Sequence, residues 1–302
     1  MGSLLSITDI KDDVRLILDL AGKIKAGEVE DRPLEGKTLA MIFQKSSTRT
    51  RVSFDVGMYQ LGGRAIFLSS NDLQMGRGEP ISDTAKVLSR FVDGIMIRAI
   101  EHDDVIELAK YADVPVISGL TNLEHPCQAL ADMLTIKEHL GEWEGKKICF
   151  VGDGNNVCNS LLLIAPLLGM DMSVACPKGY EPCEEILETA REYAGENGTQ
   201  IIVSDDIGVA LENVDVVYTD VWVSMGDEAE AKQRQIDLAP FQVNTDLMSL
   251  ANDGAIFMHC LPAVRGQEVA ADVIDGEQSV IYDEAENRMH AQKAVLYYYM
   301  KD

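Results

Sequence analysis

Basic residues are scarce in this chain of 302 residues. It carries 26 Lys and Arg against 50 Asp and Glu, which gives a formal charge of −24. Binding a nucleic-acid backbone requires clustered cationic side chains, so this balance excludes DNA or RNA as a partner. The same balance disfavours binding to an anionic membrane surface.

Long apolar runs and paired cysteines are also lacking. No stretch approaches the ~18 consecutive apolar residues of a membrane-spanning helix, and Met1 to Thr8 do not resemble a secretory leader. We therefore expect a soluble, cytoplasmic protein without membrane partners. The six cysteines form no Cys-x-x-Cys pair, so we expect reduced thiols and neither a disulfide framework nor a zinc motif.

The acidity does not indicate disorder. Hydrophobic residues make up 46% of the chain and charged residues only 25%, so apolar material for a large core is available. A chain of this length predicts about two domains.

The charge is unevenly distributed along the chain. Between Ala40 and Ile100 there are eight basic and five acidic residues, so this segment is +3 and the remainder is −27. A positive segment within an acidic chain favours a small anionic ligand over an extended polyanion.

The hydrophobic pattern predicts an α/β fold with two domains of similar size, each a mostly parallel sheet flanked by helices. Short apolar runs, such as 38–43, 94–98 and 171–175, alternate with segments of helical periodicity. We place the domain boundaries at 1–133, for the domain that binds the anion, and 134–286. Residues 287–302 form a last helix, capped by Asn287, and the pattern leaves its packing open.

The segment after the first strand has the composition of an anion site. Polar residues 44–50 precede a helix predicted over 51–61, and they include small hydroxyl side chains and Arg49. Free N–H groups at a helix start, hydroxyl groups and guanidinium groups together favour phosphate. No Gly-x-x-x-x-Gly-Lys segment is present, so a nucleoside triphosphate is not indicated. An ordinary Ser/Thr helix cap with surface arginines is the structural alternative.

A glycine-containing turn, Gly152-Asp153-Gly154, follows another predicted strand. It resembles a dinucleotide-binding turn, but Val157 occupies the position of the third glycine. We interpret it as a tight turn beside a ligand, and NAD binding remains a weaker alternative.

Two histidines stand where an element begins or ends. His125 precedes Pro126 at a helix start, where a neutral imidazole can donate to a carbonyl oxygen. His259 and Cys260 end a predicted strand before Pro262. A helix cap and a buried thiol are the structural alternatives at these places. Because the histidines lack zinc spacing, we predict neither a metal nor a cofactor.

Five segments in order resemble the aspartate/ornithine carbamoyltransferase family, and within it the ornithine enzymes. The resemblance spans essentially the whole chain. The segments are Ser47-Thr48-Arg49-Thr50-Arg51, Gln74 before Met75-Gly76-Arg77-Gly78-Glu79, His125-Pro126-Cys127-Gln128, Asp220-Val-Trp222-Val-Ser224-Met225-Gly226 and His259-Cys260-Leu261-Pro262.

The resemblance implies a role for each matching residue, and it implies that the last helix, 287–302, packs back on the first domain. The group implied to bind carbamoyl phosphate comprises Ser47, Thr48, Arg49, Thr50, Gln74, Arg98, His125, Pro126, Cys127, Gln128 and Arg288. The group implied to bind ornithine comprises Asn156, Asp220, Ser224, Met225, Cys260 and Leu261. The residues implied to act in catalysis are Arg98, His125, Gln128, Asp220 and Cys260.

The implied reaction converts carbamoyl phosphate and L-ornithine into L-citrulline and phosphate. The δ-amine would attack the carbamoyl carbon directly, with Arg98 and His125 stabilising the oxyanion, and the resemblance further implies a homotrimer. The alternatives are a carbamoyltransferase for another acceptor, such as putrescine, an acylated ornithine or aspartate, an NAD-binding oxidoreductase, and a noncatalytic phosphate-binding module.

Overall fold

A computed structural model describes residues 2–29, 32–70, 73–223 and 228–301. The chain divides into two compact units. Unit 1 comprises Met1–Leu134 and Glu286–Asp302, and unit 2 comprises Thr135–Ala285. No helix in the described ranges combines the length and apolar character that crossing a membrane requires.

Strands and helices alternate along both units. The strands are β1 (Thr38–Phe43), β2 (Arg64–Ser69), β3 (Gly94–Arg98), β4 (Val116–Leu120), β5 (Lys147–Val151), β6 (Asp171–Ala175), β7 (Ile201–Ser204), β8 (Val216–Thr219) and β9 (Ile256–Met258). The α-helices are α1 (Val14–Ala26), α2 (Thr48–Gln60), α3 (Ile81–Leu88), α4 (His102–Tyr111), α5 (Pro126–Leu140), α6 (Asn156–Leu167), α7 (Glu184–Asn197), α8 (Ile207–Leu211), α9 (Ala231–Leu238), α10 (Thr245–Met248), α11 (Ala271–Ile274) and α12 (Ile281–Met300).

Unit 1 contains a four-stranded parallel sheet in the order β2-β1-β3-β4. The chain leaves β1 for β2 on one side and later returns to β3 on the other, so the strand order reverses between β1 and β3. Phe43 pairs with Arg98 at the carboxyl end of this strand pair. Ligands of open α/β sheets bind at such a point, and the motif 44–51 follows β1 directly.

Unit 2 contains a five-stranded parallel sheet in the order β7-β6-β5-β8-β9. Its strand order reverses between β5 and β8, where Val151 pairs with Thr219. Phe150 and Tyr218 stack in the buried sheet with ring centroids 5.6 Å apart. The segments that follow these strands contain Asn155 and Asp220, so the second group of motif residues also lies at a strand reversal.

The two parallel sheets flanked by helices confirm the predicted fold class. The prediction for the last helix was wrong at its start, because α12 begins at Ile281 and not at Asn287. Asn287 is fully buried within the helix, and its Oδ1 accepts a hydrogen bond of 2.8 Å from Lys25 Nζ. Asn287 therefore bonds to a residue that is distant in the sequence, and it does not cap the helix.

Candidate active site

The start of α2 combines hydroxyl side chains with the free N–H groups of a helix N-terminus. Ser47 is its N-cap residue, and its Oγ accepts a hydrogen bond of 3.2 Å from the backbone N–H of Thr50. The hydroxyl groups of Ser47 and Thr50 lie 3.1 Å apart. This cap starts the helix at Thr48, three residues before the predicted start, and brings the helix N–H groups next to the hydroxyl side chains.

Two arginines from distant parts of the chain converge on Thr50. Arg98 Nη1 donates to Thr50 Oγ1 at 3.5 Å, and Arg288 Nη2 donates to the same oxygen at 3.3 Å. All three side chains are buried, with 1% of Thr50, 7% of Arg98 and 4% of Arg288 exposed. Two guanidinium groups that meet at one hydroxyl oxygen concentrate positive charge and N–H donors, which suits a multiply charged anion.

His125 stands next to these guanidinium groups in its neutral form. Burial, followed by the positive charges of Arg288, Arg98 and Arg49, holds the pKa of His125 well below its usual range. A neutral imidazole can donate a hydrogen bond to a carbonyl oxygen without adding a further positive charge. Burial and the three arginines therefore keep the imidazole neutral.

Gln128 is held on both sides of its amide. Arg288 Nη1 donates to Gln128 Oε1, and Gln128 Nε2 donates to Asp132 Oδ1 at 2.7 Å. Gln128 and Asp132 lie one helical turn apart on α5, and both are buried. Sequence reasoning found Gln128 but missed Asp132, although an acidic residue in an apolar stretch of helix was a usable signal.

Three further residues of unit 1 that were predicted to bind carbamoyl phosphate differ from one another in burial. Cys127 is fully buried, and burial raises the pKa of its thiol to about 12, so it is inert as a nucleophile. Thr48 is exposed at the helix start. Gln74 is also exposed, in a short 3₁₀-helix over Gln74–Arg77, and is not among the described side chains that converge on Thr50.

In unit 2, the turn after β5 is tied to Asp220. Asn155 caps α6 because its Oδ1 accepts from Val157 N at 3.0 Å and Cys158 N at 3.2 Å. Its Nδ2 donates to Asp220 Oδ2 at 2.7 Å. The predicted residue Asn156 is the first residue of α6. Sequence reasoning missed Asn155, which contacts Asp220.

Asp220 also contacts Cys260 at the end of the neighbouring strand. Cys260 Sγ donates to Asp220 Oδ1 at 3.1 Å, and the same oxygen accepts from Val221 N at 2.8 Å. Both carboxylate oxygens are therefore oriented by protein donors. The half-buried thiol and the carboxylate together form a polar group that suits a cationic amine.

Buried polar groups hold the turn that carries Cys260 and Leu261. Leu261 has φ = 58° and donates its N–H to His259 Nδ1 at 2.9 Å. His259 Nε2 lies 3.3 Å from Glu268 Oε1, and His259 N donates to Glu284 Oε2 at 2.9 Å. His259, Glu268 and Glu284 are fully buried, so this turn is fixed from within unit 2.

The donor atoms of Asp220, His259 and Cys260 lie within 4.8 Å of one another. Oxygen, nitrogen and sulfur ligands of this kind suit Zn²⁺ in principle. Here, however, the thiol donates to the carboxylate, and both imidazole nitrogens contact protein groups. Protein partners therefore already contact the candidate ligand atoms of all three residues.

The turn with the two glycines does not have the features of a dinucleotide site. A Cβ on Gly154 would lie 2.4 Å from Pro182 N. Gly154 N also donates to Tyr180 O at 2.8 Å. The absence of a side chain is therefore required by a neighbouring loop, which differs from the role of glycine beside a pyrophosphate.

The segment after Asp220 is only partly described. Ser224 and Met225 lie outside the described residues. Arg234 forms a salt bridge of 2.7 Å with Asp153, and its Nη1 donates to Trp222 O at 3.4 Å. Sequence reasoning missed Arg234, which joins α9 to both segments that flank the Asn155–Asp220 contact.

The charge differs strongly between the two units. Unit 1 has 22 acidic and 18 basic residues, a net charge of −4, whereas unit 2 has 28 acidic and 8 basic residues, a net charge of −20. The guanidinium cluster lies in the nearly balanced unit, and the Asp220–Cys260 pair lies in the acidic one. This separation favours an anionic ligand for unit 1 and a cationic group for unit 2.

Comparisons with known proteins give one family for both units. Residues 3–138 match the carbamoyl-P binding domain of aspartate/ornithine carbamoyltransferase, and residues 144–299 match its Asp/Orn binding domain. The chain is 77% identical over 301 residues to an ornithine carbamoyltransferase of Methanobrevibacter smithii, with 100% of both chains covered. It is 62% identical over 302 residues to that of Methanothermobacter thermautotrophicus, again with 100% of both covered.

A solved structure is similarly close. The ornithine carbamoyltransferase from Pyrococcus furiosus superposes with a TM-score of 0.94 at 53% sequence identity, covering 99% of this chain and 97% of the other.

Proposed function

The chain belongs to the aspartate/ornithine carbamoyltransferase family, and we propose that it transfers the carbamoyl group of carbamoyl phosphate to the δ-amine of L-ornithine. The products are L-citrulline and phosphate. The observation that carries this proposal is the convergence of Arg98 and Arg288 on Thr50 next to a neutral His125. This arrangement offers positive charge for a phosphate and a neutral donor for a carbonyl group.

The phosphate of carbamoyl phosphate binds at the start of α2. The helix N–H groups and the hydroxyl groups of Ser47, Thr48 and Thr50 donate to its oxygens, and Arg49 and Arg288 supply positive charge. As the C–O bond to phosphate breaks, negative charge grows on the leaving group. These donors stabilise that charge more strongly than the charge of the ground state.

The carbamoyl group lies towards Arg98, His125 and Gln128. Attack by the amine places negative charge on the carbamoyl oxygen, which accepts hydrogen bonds from Arg98 and His125. A preorganised donor of this kind contributes ~3–4 kcal/mol to transition-state stabilisation. Pro126 and Cys127 shape the same helix start without taking part in the chemistry.

The amino-acid acceptor binds at the carboxyl ends of β5, β8 and β9. Asp220, Cys260 and Leu261 lie near the δ-amine, and Asn156, Ser224 and Met225 hold the rest of ornithine. The amine must lose a proton to become a nucleophile. Asp220, with both oxygens oriented by donors, attracts the protonated amine. The amine releases one proton to solvent before the attack, and the leaving phosphate takes the second as the C–N bond forms and the C–O bond breaks.

The proposal extends to a cytoplasmic homotrimer. Exposed apolar side chains recur on one face of α2, at Val52, Val56 and Tyr59, and on the edge strand β2, at Ile66 and Phe67. An unpartnered edge strand beside apolar residues is typical of a surface that another chain covers. In such an assembly, Gln74 reaches the phosphate of a neighbouring subunit.

Assembly can be measured independently of activity. Sedimentation equilibrium should give about 100 kDa, three times the 33.2 kDa of one chain. The double variant Tyr59→Glu with Phe67→Glu should dissociate. A monodisperse 33 kDa species for the unchanged protein would contradict the trimer.

The reaction is tested by a citrulline assay that compares ornithine, putrescine and aspartate at equal concentration. We expect ornithine to be the best acceptor by a wide margin. Faster carbamoylation of putrescine or aspartate would contradict the specificity proposed for Asp220 and Met225. In parallel, a titration should show binding of carbamoyl phosphate and none of NAD.

A further inference from the structure

Gln128 lies between a side chain that can only donate and one that, when ionised, can only accept. The guanidinium group of Arg288 donates to Gln128 Oε1, and the carboxylate of Asp132 accepts from Gln128 Nε2 at 2.7 Å. An amide side chain can otherwise turn over and exchange its oxygen and nitrogen. With these two neighbours, only one orientation makes both hydrogen bonds.

Asp132 occupies an unfavourable place for a carboxylate. It is fully buried on α5, where Ala129, Leu130, Ala131 and Met133 are fully buried as well. Burying a charged group costs free energy unless hydrogen bonds compensate. The hydrogen bond from Gln128 Nε2 is one such compensation, and an apolar side chain at this position could not accept it.

The hydrogen bond between Gln128 and Asp132 also affects the position of Arg288. With Oε1 of Gln128 facing it, Arg288 Nη1 is fixed, and Nη2 of the same guanidinium group reaches Thr50 Oγ1 at 3.3 Å. If the amide turned over, its N–H groups would face the N–H groups of Arg288, and two donors would oppose each other. Arg288 would then lose the geometry that directs it to Thr50.

We propose that Asp132 is a positioning residue that fixes the amide of Gln128 and thereby directs Arg288 into the phosphate site. This inference rests on the proposed function of unit 1 as the carbamoyl phosphate site. It assigns to Asp132 no contact with the substrate.

Two substitutions separate the hydrogen bond from the charge. Asp132→Asn keeps an oxygen that accepts from Gln128 Nε2, whereas Asp132→Leu is of similar size and removes the acceptor. For Asp132→Leu we expect the dissociation constant of carbamoyl phosphate and its KM to rise about tenfold, within the range that coupled neighbours show. Asp132→Asn should stay within about threefold of the unchanged protein, since its amide can still accept. The KM of ornithine should change little in either variant.

A double-mutant cycle tests whether Asp132 acts through Gln128. The four proteins are the unchanged chain, Asp132→Leu, Gln128→Ala and the double variant, each titrated calorimetrically with inorganic phosphate and with carbamoyl phosphate. If Asp132 works through the Gln128 amide, Asp132→Leu should add almost nothing in the Gln128→Ala background. Thermal unfolding measured on the same samples reports any general loss of stability separately.

The outcomes distinguish the inference from the proposed function. Additive effects in the cycle would overturn the inference, as would an unchanged carbamoyl phosphate affinity in Asp132→Leu or a tenfold loss in Asp132→Asn. If Asp132→Leu does not fold, Asp132→Ala takes its place in the same cycle. An unchanged protein that binds carbamoyl phosphate but forms no citrulline would contradict the proposed function and leave the binding cycle valid.

Discussion

The thiol of Cys260 lies 3.1 Å from a carboxylate oxygen of Asp220, although 40 residues separate them in the chain. The contact exists because β8 and β9 are parallel neighbours, with Tyr218 paired to Met258, so the segments after both strands meet at one edge of the sheet. A thiol, a side-chain amide and a backbone N–H group thereby fix the orientation of the Asp220 carboxylate.

Removing this thiol should slow the reaction of the amine. For Cys260→Ala we expect turnover to fall about ten- to a hundredfold, since one hydrogen bond to a charged group is worth about 1.5–3 kcal/mol. The KM of carbamoyl phosphate should be unchanged, and Cys260→Ser should recover part of the loss. Steady-state citrulline assays measure both quantities. Cys183→Ala, at another half-buried thiol of unit 2, is the matched control, and equal effects of the two alanine variants would contradict the role of Cys260.

Loss of Arg98 should abolish most of the turnover without unfolding the protein. Arg98→Ala removes an oxyanion donor, so we expect kcat to fall about 10²- to 10³-fold. It also reduces repulsion among the guanidinium groups near Thr50, which helps the fold tolerate the change. The exposed Arg90→Ala is the control for removal of an arginine. Near-normal citrulline production by Arg98→Ala would remove Arg98 from its proposed role.

His125 should make the stability of the protein depend on pH. Its folded-state pKa lies well below the unfolded value because of burial and of Arg288, Arg98 and Arg49. The unfolded state therefore binds more protons below pH ~6.5, and the contribution of His125 to stability is complete above that pH and is lost as the pH falls towards the folded-state pKa.

Urea unfolding of the unchanged protein and of His125→Asn at several pH values checks this sign. As the pH drops below ~6.5, the free energy of unfolding of the unchanged protein should fall relative to that of the variant. The slope should correspond to one bound proton. Other titrating groups are common to both proteins and cancel. A difference that does not vary with pH would show that His125 has an ordinary pKa.

The parts of the site that follow strands could be predicted from the sequence. The predicted strands 38–43, 94–98 and 171–175 coincide with β1, β3 and β6, and parallel strands bring the residues after them to one edge. Motif residues such as Thr50 and Asp220 are therefore placed by topology, which the alternation of elements reveals.

Partners brought together by tertiary packing could not be predicted in this way. Arg234 and Asp153 are 81 residues apart, and Glu284 and Tyr218 are 66 residues apart. Nothing local marks these pairs, because an acidic or basic residue on a helix is usually a solvated one. The start of α12 was missed for the same reason, since the buried Asn287 resembles a cap until its contact with Lys25 is known.

The charge of −20 on unit 2 leads to a prediction about salt. Like charges repel in the folded state, and this repulsion is screened over ~8 Å at 0.15 M salt and over ~3 Å at ~1 M. We expect the free energy of unfolding to rise between these concentrations, and assembly of the proposed trimer to strengthen with it. Chemical denaturation and sedimentation across a KCl series measure the two effects.

Glu188, Glu192 and Glu196 recur at intervals of four on α7 and are exposed. Replacing all three with Lys lowers the negative charge of unit 2 and should weaken the dependence of stability on salt. Full stability and unchanged assembly of the unsubstituted protein in dilute buffer would contradict the prediction.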